Sequence, residues 1–380
     1  MRKETMTSRE RVLTAINHKE PDRMPIDFGV HFSTGISAFA YKRLREYLGL
    51  NTDSIDLQDT VQMLARVDED VLERFHSDTI LLNPRWKKPT KWTPREDYTF
   101  LTSDKMNPVL RENGDWVVTQ DDKLMRMPNG CYFFDGDLFS FKEYETEDEE
   151  LDTYAKAAER IFKETDYFTM QMGFFGFFGG IEFACTMLTD PDEAIRQQEG
   201  LFDYAMVRIE KVIRKYGHYI QSIEVNSDLG AQNAPLLSPD HYEKFCMPYL
   251  KKFNDFVHRN SDLKIFMHCC GSIQPLIPHI IEAGVDILNP VQISAANMNP
   301  KELKERYGDK ICFWGGGCDT QHVLPNGTVD EVKAHVRELV NTFKPGGGFV
   351  FNQVHNIMGD VSAENIVAMF DTAYEESFYC

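Results

Sequence analysis

The sequence of 380 residues contains no apolar run close to the roughly 20 residues that a helix needs to cross a bilayer. Its first residues, MRKETMTSRE, lack the apolar core of a secretory signal peptide. Basic residues are also scarce, since 41 Lys and Arg stand against 60 Asp and Glu and the formal net charge is −19. Nucleic acids are bound through their phosphates by basic surfaces, so this balance disfavours such a partner. We expect a soluble, cytoplasmic protein that binds neither nucleic acid nor membrane.

Cysteine is sparse as well, and no repeat or low-complexity segment is present. Eight cysteines are scattered along the chain, at positions 131, 185, 246, 269, 270, 312, 318 and 380. In a chain without a secretion signal, this pattern favours free thiols and a metal site over a disulfide framework. The sequence also lacks the G-x-G-x-x-G turn that opens a helix in dinucleotide-binding folds.

Short apolar runs that are typical of strands alternate with periodic helical segments along most of the chain. The strand candidates are residues 24–29, 79–84, 167–173, 220–227, 263–269, 285–290, 311–316 and 347–353. Alternating strands and helices predict a parallel sheet, and eight such strands predict a closed (β/α)8 TIM barrel. An open, doubly wound sheet is the alternative. We expect one domain over residues 1–380.

Residues 85–148 interrupt this alternation. They contain two Asn-Gly pairs flanked by short β-type runs, a pattern that predicts β-hairpins. We interpret the segment as a hairpin-rich insertion between the second and third strands, which covers one end of the barrel.

Metal-binding residue types lie just past the predicted strands, where a β/α barrel forms its active site. The stretch KIFMHCCGS (264–272) places His268, Cys269 and Cys270 at one strand end. Because side chains alternate between the faces of a strand, His268 and Cys270 point the same way and Cys269 points the other way. Cys318 follows a later strand, in the glycine-rich turn WGGGCD.

One imidazole and two thiolates form a suitable ligand set for zinc, which favours nitrogen and sulfur donors in tetrahedral geometry. Three protein ligands leave a fourth position open, as in catalytic zinc sites. The alternative is that the cysteines are simply buried, since cysteine is among the most buried residue types. The strand-end positions favour zinc held by His268, Cys270 and Cys318.

Four stretches resemble the uroporphyrinogen decarboxylase superfamily, and the likeness runs over nearly the whole chain except the hairpin-rich insertion. They are MTSRERVLTAINHKEPDRMPIDFG, NSDLGAQNAPLLSPDHYEKFCMPYLKKF, HCCGSIQPLIPHIIEAGVDILNPVQ and VHNIMGDVSAENIVAMFDTAYE. The H-x-C pair with a distant cysteine is similar to the zinc methyltransferases of that superfamily, which work with corrinoid proteins. Their best-known branch is the methylcobamide:coenzyme M methyltransferases. The resemblance implies a (β/α)8 barrel, zinc, and a corrinoid carried by a partner protein.

The chain also departs from the family. Uroporphyrinogen decarboxylases carry arginines after the first strand, which hold the substrate carboxylates, whereas this chain has no arginine between Arg23 and Arg43. The decarboxylase aspartate has a counterpart in Asp78, and the late histidine has one in His355. With Asp228 in NSDLG, these residues are the catalytic candidates.

The fourth zinc ligand stays open among Glu182, Asp228, water and substrate. Related zinc methionine synthases supply a glutamate in the neighbourhood where this chain has Gln292. The run GFFGFFGG (173–180) has two interpretations: it allows a flat corrin ring to approach, or it only packs within the protein. We name Gly176, Gly179 and Asn226 as corrinoid-binding candidates.

The function that these features predict is a zinc-dependent methyltransferase that moves a methyl group between a small substrate and the cobalt of a corrinoid protein. The substrate class stays open among thiols, methoxylated compounds, methylamines and folates, although the missing basic patch disfavours the sulfonate of coenzyme M. A uroporphyrinogen decarboxylase-type lyase and a non-catalytic corrinoid-binding protein are the alternatives. A homodimer is also left open.

Overall fold

The fold is described from a computed structural model, which covers residues 4–137, 139, 141 and 143–379. Leu138, Ser140 and Lys142 of the predicted insertion, and Cys380, lie outside the described residues. The strands, in chain order, are β1 (Ile55–Asp59), β2 (Leu64–Ala65), β3 (Pro89–Arg95), β4 (Tyr98–Ser103), β5 (Val109–Leu110), β6 (Trp116–Gln120), β7 (Lys123–Met127), β8 (Asp135–Gly136), β9 (Met170–Phe175), β10 (Ser222–Asn226), β11 (Lys264–His268), β12 (Ile287–Asn289), β13 (Cys312–Trp314) and β14 (Phe349–Val350).

The α-helices connect and cover these strands. They are α1 (Ser8–Ile16), α2 (Ala38–Tyr47), α3 (Glu69–Arg74), α4 (Glu147–Glu164), α5 (Gly180–Thr189), α6 (Pro191–Tyr216), α7 (Pro239–Phe245), α8 (Met247–Asn260), α9 (Ile277–Glu282), α10 (Pro300–Tyr307), α11 (Val323–Asn326), α12 (Val329–Phe343) and α13 (Ala363–Glu375). Short 3₁₀ turns lie at Gly217–Tyr219 and Gln274–Leu276. Among the described residues, no helix is both long and apolar enough to span a membrane.

The central sheet is parallel and contains six strands in the order β14-β13-β12-β11-β10-β9. These strands coincide with six of the eight predicted ones. The first two predicted strands are single bridges instead: Ile26 pairs with Phe351, and Thr79 pairs with Phe168, both in parallel. The Asp78 N–H donates to the Ile26 carbonyl at 2.7 Å, which links the two segments. The α/β class with a parallel sheet is confirmed, and the regular part of the described sheet has six strands rather than eight.

The central sheet buries apolar residues on both faces, as parallel sheets do. One face contributes Met170, Phe266, Ile287, Cys312, Trp314 and Val350 to a small cluster, which α1 completes with Val12 and Ile16. The other face, with the helices outside it, contributes residues such as Met267 and Phe313 to the large core. Phe168 packs against Trp314 at 5.6 Å between ring centroids, although β9 and β13 are four strands apart. The sheet is therefore strongly curled around the small cluster.

Helix boundaries follow local sequence signals. Thr7 and Glu10 form a capping box at the start of α1, in which the Glu10 N–H donates to Thr7 Oγ1 and Glu10 accepts from the Thr7 N–H. The helical segment 238–260 is divided into α7 and α8 around Cys246. Pro248 explains the division, because it has no N–H to donate to the carbonyl four residues earlier.

Residues 85–148 contain antiparallel strands. Among the described residues of this segment, β3 pairs with β4, β5 with β6, β6 with β7 and β7 with β8, all antiparallel. β4 also pairs in parallel with β1, which ties the segment to residues that precede it in the chain. Its role as an insertion that covers a barrel end stays a prediction.

Candidate metal centre

Three neighbouring strands end in polar side chains at the same edge of the central sheet. Asn226 on β10 is in register with His268 on β11, and His268 is in register with Asn289 on β12. Phe266, two residues before His268, belongs to the small apolar cluster, whereas Met267 and Cys269 belong to the large core. The alternation predicted from the sequence is therefore confirmed, and His268 lies above the small cluster at the strand ends.

The orientation of His268 is set by its neighbour on the next strand. Its Nδ1 lies 2.9 Å from Asn289 Oδ1, which can only accept, so Nδ1 carries the proton. The other nitrogen, Nε2, then keeps a free lone pair and lies 3.3 Å from Cys270 Sγ. His268 is 5% exposed, and burial lowers its pKa below the ordinary value, with a smaller contribution from nearby His31. The imidazole is therefore neutral and ready to act as a ligand through Nε2.

Cys270 is held by a sharp turn just past the strand. Its N–H donates to Asp228 Oδ1 at 3.0 Å, and the Gly271 N–H donates to Gln292 Oε1 at 2.8 Å. Gly271 has φ +92°, and a Cβ at this position would lie 2.4 Å from the Gly230 carbonyl carbon. Only glycine fits this close approach, which brings the loop after β10 against the turn. Burial, and then the negative charge of Asp228, raise the pKa of the Cys270 thiol well above its ordinary value.

His355 completes the cluster. The cluster consists of three potential ligand atoms, one each from His268, Cys270 and His355, and these atoms lie within 4.8 Å of one another. His355 follows β14 on the far side of the sheet edge, and its ring centroid lies 6.0 Å from that of His268. Burial, followed by the neighbouring histidines, lowers its pKa to about 4, so this imidazole is also neutral.

The donor set fits a zinc ion. Two neutral imidazoles and one thiol offer two nitrogens and one sulfur, and zinc takes such mixed N/S ligands in tetrahedral sites. The hydrogen bond from His268 Nδ1 to Asn289 is the outer support that a metal-ligating histidine almost always has. The structure carries no ion, so the fit rests on the side chains alone.

Of the three predicted zinc ligands, the structure brings His268 and Cys270 together and leaves Cys318 outside the cluster. Cys318 is fully buried in the large core, and its Sγ lies 4.0 Å from the Asp319 carbonyl. Its main chain is close to the site, because the Cys318 carbonyl accepts from the Val354 N–H, one residue before His355. Its role as a zinc ligand stays a prediction, and His355 takes the third position in the observed cluster.

Asp228 and Glu182, the two side chains considered as fourth ligand, lie in different surroundings. Asp228 Oδ1 is 3.6 Å from His268 Nε2, and its side chain is 59% exposed, so it faces the open side of the cluster. Glu182 is exposed in the first turn of α5 and does not belong to the cluster. The structure therefore favours Asp228 over Glu182 at this position.

The contacts of Asp78 indicate a structural role. Asp78 is fully buried, and its carboxylate is bound by Arg11 at 2.6 Å and by Arg23 at 2.7 Å. Its Oδ2 also accepts from the Ile26 N–H. Through these contacts Asp78 anchors α1 and the Ile26 segment, and its catalytic role stays a prediction.

The corrinoid-binding candidates lie at the same sheet edge. Asn226 is exposed at the end of β10. Gly176 follows β9, and its N–H donates to the Asn226 carbonyl at 2.7 Å; a Cβ there would lie 2.4 Å from Ser227 Oγ. Gly179 caps α5, where a Cβ would meet Phe183. Packing between the two loops accounts for Gly176, and corrinoid contact by any of the three stays a prediction.

A second layer of polar residues around His268 went undetected at the sequence level. His31 stacks on His268 with 5.3 Å between ring centroids, and its Nε2 lies 3.2 Å from the carboxylate of buried Glu224. Ser33 Oγ donates to Asn289 Oδ1 at 2.8 Å. Burial alone would raise the pKa of Glu224, but the His31 hydrogen bond and charge lower it below the ordinary value. His31 follows the first predicted strand and Glu224 lies in the middle of β10, so their positions in the sequence alone did not indicate this contact.

Comparisons with known proteins agree with this geometry. A profile of the uroporphyrinogen decarboxylase (URO-D) family matches residues 179–376, a little over half of the chain, and includes β10 to β14 with His268, Cys270 and His355. A uroporphyrinogen decarboxylase of Chlorobium phaeobacteroides is 25% identical over 179 residues, which are 45% of this chain and 48% of that protein. One of Trichodesmium erythraeum is 28% identical over 145 residues, 37% of this chain and 38% of that protein. The chain thus matches less than half of the length of these relatives.

The overall fold also has a solved counterpart. A structure described as a methyltransferase from Methanosarcina mazei superposes with a TM-score of 0.62 over 98% of this chain and 99% of the other, at 15% sequence identity. At that identity the likeness concerns the fold. The family match over residues 179–376 gives the more specific conclusion, and the chain belongs to the uroporphyrinogen decarboxylase (URO-D) family.

Proposed function

We propose that this protein is a zinc-dependent methyltransferase, which moves a methyl group between a small substrate and the cobalt of a corrinoid carried by a partner protein. The observation that supports it most is the cluster of His268, Cys270 and His355, whose ligand atoms lie within 4.8 Å of one another. A thiol and two neutral imidazoles suit zinc, which takes mixed nitrogen and sulfur ligands. The name of the Methanosarcina mazei protein with the same fold is consistent with this proposal.

Zinc bound to this cluster would act as a Lewis acid towards the heteroatom that gains or loses the methyl group. His268 Nε2, Cys270 Sγ and a ring nitrogen of His355 would hold the ion. Cys270 would give up its thiol proton on binding it, since thiolate is the form that ligates metals. Asn289 would keep the His268 ring in place through Nδ1.

Asp228 has the position of a proton acceptor for the substrate. It borders the cluster, it is largely exposed, and its Oδ1 is tied to the Cys270 N–H at 3.0 Å. In the thiol-methylating direction, the proton of the substrate thiol would pass to the Asp228 carboxylate. In the demethylating direction, the same carboxylate, if protonated, would return the proton to the leaving heteroatom.

We further propose that the two bridges at Ile26 and Thr79 close the curled sheet into a (β/α)8 barrel. Ile26 pairs with the segment after β14, and Thr79 pairs with the segment before β9, so both edges of the six-stranded sheet are engaged. A corrin ring is too large for a barrel filled with side chains, and its cobalt would have to approach from the strand ends. The loops around Gly176, Asn226 and Cys318, with residues 85–148, would form that docking rim.

The alternative, decarboxylation of a tetrapyrrole, is favoured by the names of the curated relatives. Three observations oppose it. The chain has no arginine from residue 24 to 42. Arg23 is bound to Asp78, and Arg43 donates to the carbonyls of Gly359 and Val361. Substrate carboxylates would therefore find no free guanidinium in this region, and bidentate arginine contacts are the usual way to hold them.

The test is an anaerobic assay that follows the cobalt spectrum. Zinc-loaded protein is mixed with methylcobalamin or cob(I)alamin, and separately with a corrinoid protein, in the presence of thiols, folates, methoxylated compounds and methylated amines. We expect methylation or demethylation of cobalt with at least one of them, and loss of this change in His268→Ala. An unchanged spectrum across the panel, with zinc bound and the protein folded, would refute the proposal.

A further inference from the structure

A large cleft lies beside the metal centre rather than in it. It has a volume of about 990 Å³, which is in the range of small-molecule binding sites. None of His268, Cys270 and His355 lines it. Its walls come from the loop after the Ile26 segment, from β1 and the turn that follows it, from Asn83, Pro84 and Trp86, from described residues between Phe139 and Tyr154, and from α6.

The cleft and the metal centre share a wall. Phe32 lines the cleft and lies between His31, which stacks on His268, and Ser33, which donates to Asn289. Asn356, the residue after His355, donates through Nδ2 to the Phe32 carbonyl at 2.7 Å and to Gln62 Oε1 at 2.9 Å. Gln62 also lines the cleft. Phe32 and Gln62 therefore connect the cleft to the cluster, through His31 on one side and Asn356 on the other.

The charge of the lining is negative. Glu147 and Glu150 are compensated, because Arg208 binds both and Lys211 binds Glu147. Asp59 and Glu143 receive their hydrogen bonds from neutral groups: Asp59 from Val61 and Gln62, and Glu143 from Ser103 Oγ and the Lys87 N–H. These bonds leave the two negative charges in place, and they make the cleft unsuitable for an anion.

Aromatic rings form much of the remaining wall, among them Phe32, Trp86, Phe139, Phe141 and Tyr154. The face of an aromatic ring attracts a cation, and several rings beside a carboxylate are the usual surroundings of a methylated ammonium group.

Gln58 is a second, independent indication of a ligand. It lines the cleft and is 4% exposed, and neither Nε2 nor Oε1 of its side chain has a hydrogen-bond partner in the described structure. Buried amides are almost always hydrogen-bonded, because an unsatisfied one costs roughly 1–3 kcal/mol. A ligand with a polar arm, such as a hydroxyl, would satisfy it.

We infer that this cleft binds a methylated ammonium compound with a polar arm. The aromatic rings, Asp59 and Glu143 bind its cationic head, and Gln58 forms hydrogen bonds with the arm. The inference goes beyond the proposed function, because it assigns a second binding site beside the metal centre and not the methyl donor. Binding itself does not depend on methyl transfer, so the two can be tested apart.

The experiment is a calorimetric titration of the full-length protein with choline and with 3,3-dimethylbutan-1-ol, in which a carbon replaces the charged nitrogen. We expect choline to bind at least about tenfold more tightly than its neutral isostere, because cation–π attraction and two carboxylates act only on the charge. Trp86→Leu and Glu143→Gln should each weaken choline binding severalfold or more. Tyr47→Leu, at an exposed aromatic on α2, and Glu364→Gln, at an exposed carboxylate on α13, should leave it unchanged.

Equal binding of choline and its isostere, or no binding of choline, tetramethylammonium and trimethylammonium, would overturn the inference. Cys270→Ala separates it from the proposed function, since this variant should keep choline binding and lose methyl transfer. Choline binding by a protein that transfers no methyl group supports the cleft and refutes the methyltransferase. Methyl transfer from any donor, with no binding of these three cations, supports the methyltransferase and refutes the cleft.

Discussion

At the scale of single residues, side chains from the neighbouring strands orient the ligands of the candidate centre. His268 supplies a free Nε2 because Asn289, on the next strand, accepts the hydrogen bond of the Nδ1–H group. Cys270 is positioned by Asp228 on the preceding loop and by Gln292 on the following one. The side chains that orient the ligands therefore come from the ends of β10 and β12, the two strands that flank β11.

Adjacent cysteines give a matched pair of variants. Cys270→Ala should lose most of the roughly one zinc per chain that the wild type is expected to hold, because it removes the sulfur ligand. Cys269→Ala should keep the zinc and lose about 1 kcal/mol of unfolding free energy, since Cys269 is fully buried in the large core. Metal analysis and urea unfolding measure the two effects. If Cys269→Ala loses the zinc and Cys270→Ala keeps it, the assignment of Cys270 to the metal-binding face of the strand is wrong.

The support of His268 can be tested without touching a ligand. Asn289→Ala removes the acceptor that holds Nδ1, and we expect zinc affinity to fall about 10- to 100-fold. Competition with a chromogenic chelator measures it. Asn299→Ala, at the N-cap of α10, is the control, and its zinc affinity should match that of the wild type. An unchanged affinity in Asn289→Ala would mean that the hydrogen bond does not orient the ring.

At the scale of elements, α1 is fixed to the sheet by a buried ion-pair network. Arg11 binds Asp22 and Asp78, and Arg23 binds Asp78 and Glu4. Arg11, Arg23 and Asp78 are at most 2% exposed. Such charges are stable in the interior only while they are paired.

Asp78→Asn should therefore lower the free energy of unfolding by about 3–5 kcal/mol, because it leaves two buried arginines short of a counter-charge. Zinc content should stay at the wild-type level, since Asp78 is not part of the cluster. Thermal unfolding and metal analysis provide both readouts. If this variant keeps its stability and loses only activity, Asp78 is catalytic after all.

The strands themselves were largely predictable, because six apolar runs of four to eight residues bounded by turns become β9 to β14. Residues 24–29 and 79–84 have the same pattern but form single bridges, since Asp27 and Asp78 accept side-chain and main-chain hydrogen bonds at these points. In the site, period-two alternation correctly paired His268 with Cys270. The position of Cys318 was not predictable in this way, because it depends on how the turn 315–318 packs on Phe351 and Asn352.

At the scale of the whole molecule, membership of the URO-D family and the chemistry of the site point to different substrates. The family match covers residues 179–376, which contain the cluster but not the segment after the first predicted strand. It is that segment, residues 24–42, that lacks arginine. The large acidic cleft borders the same segment through Phe32.

We therefore predict that the protein does not decarboxylate uroporphyrinogen. A substrate with many carboxylates would meet an acidic cleft and two arginines, Arg23 and Arg43, that are already bound elsewhere in the fold. Anaerobic incubation followed by chromatography of the oxidised porphyrins checks it, with an authentic decarboxylase as positive control. Formation of coproporphyrinogen would contradict the prediction.

The central claim is that one zinc ion binds at the strand ends of the central sheet, and anomalous diffraction from zinc-loaded crystals at the zinc absorption edge tests it most directly. We expect one strong peak per chain, within bonding distance of His268 Nε2 and Cys270 Sγ. The other side chain within bonding distance of the peak will show whether His355 or Cys318 is the third ligand. A peak elsewhere, or no peak in protein that retains its fold, would contradict the account.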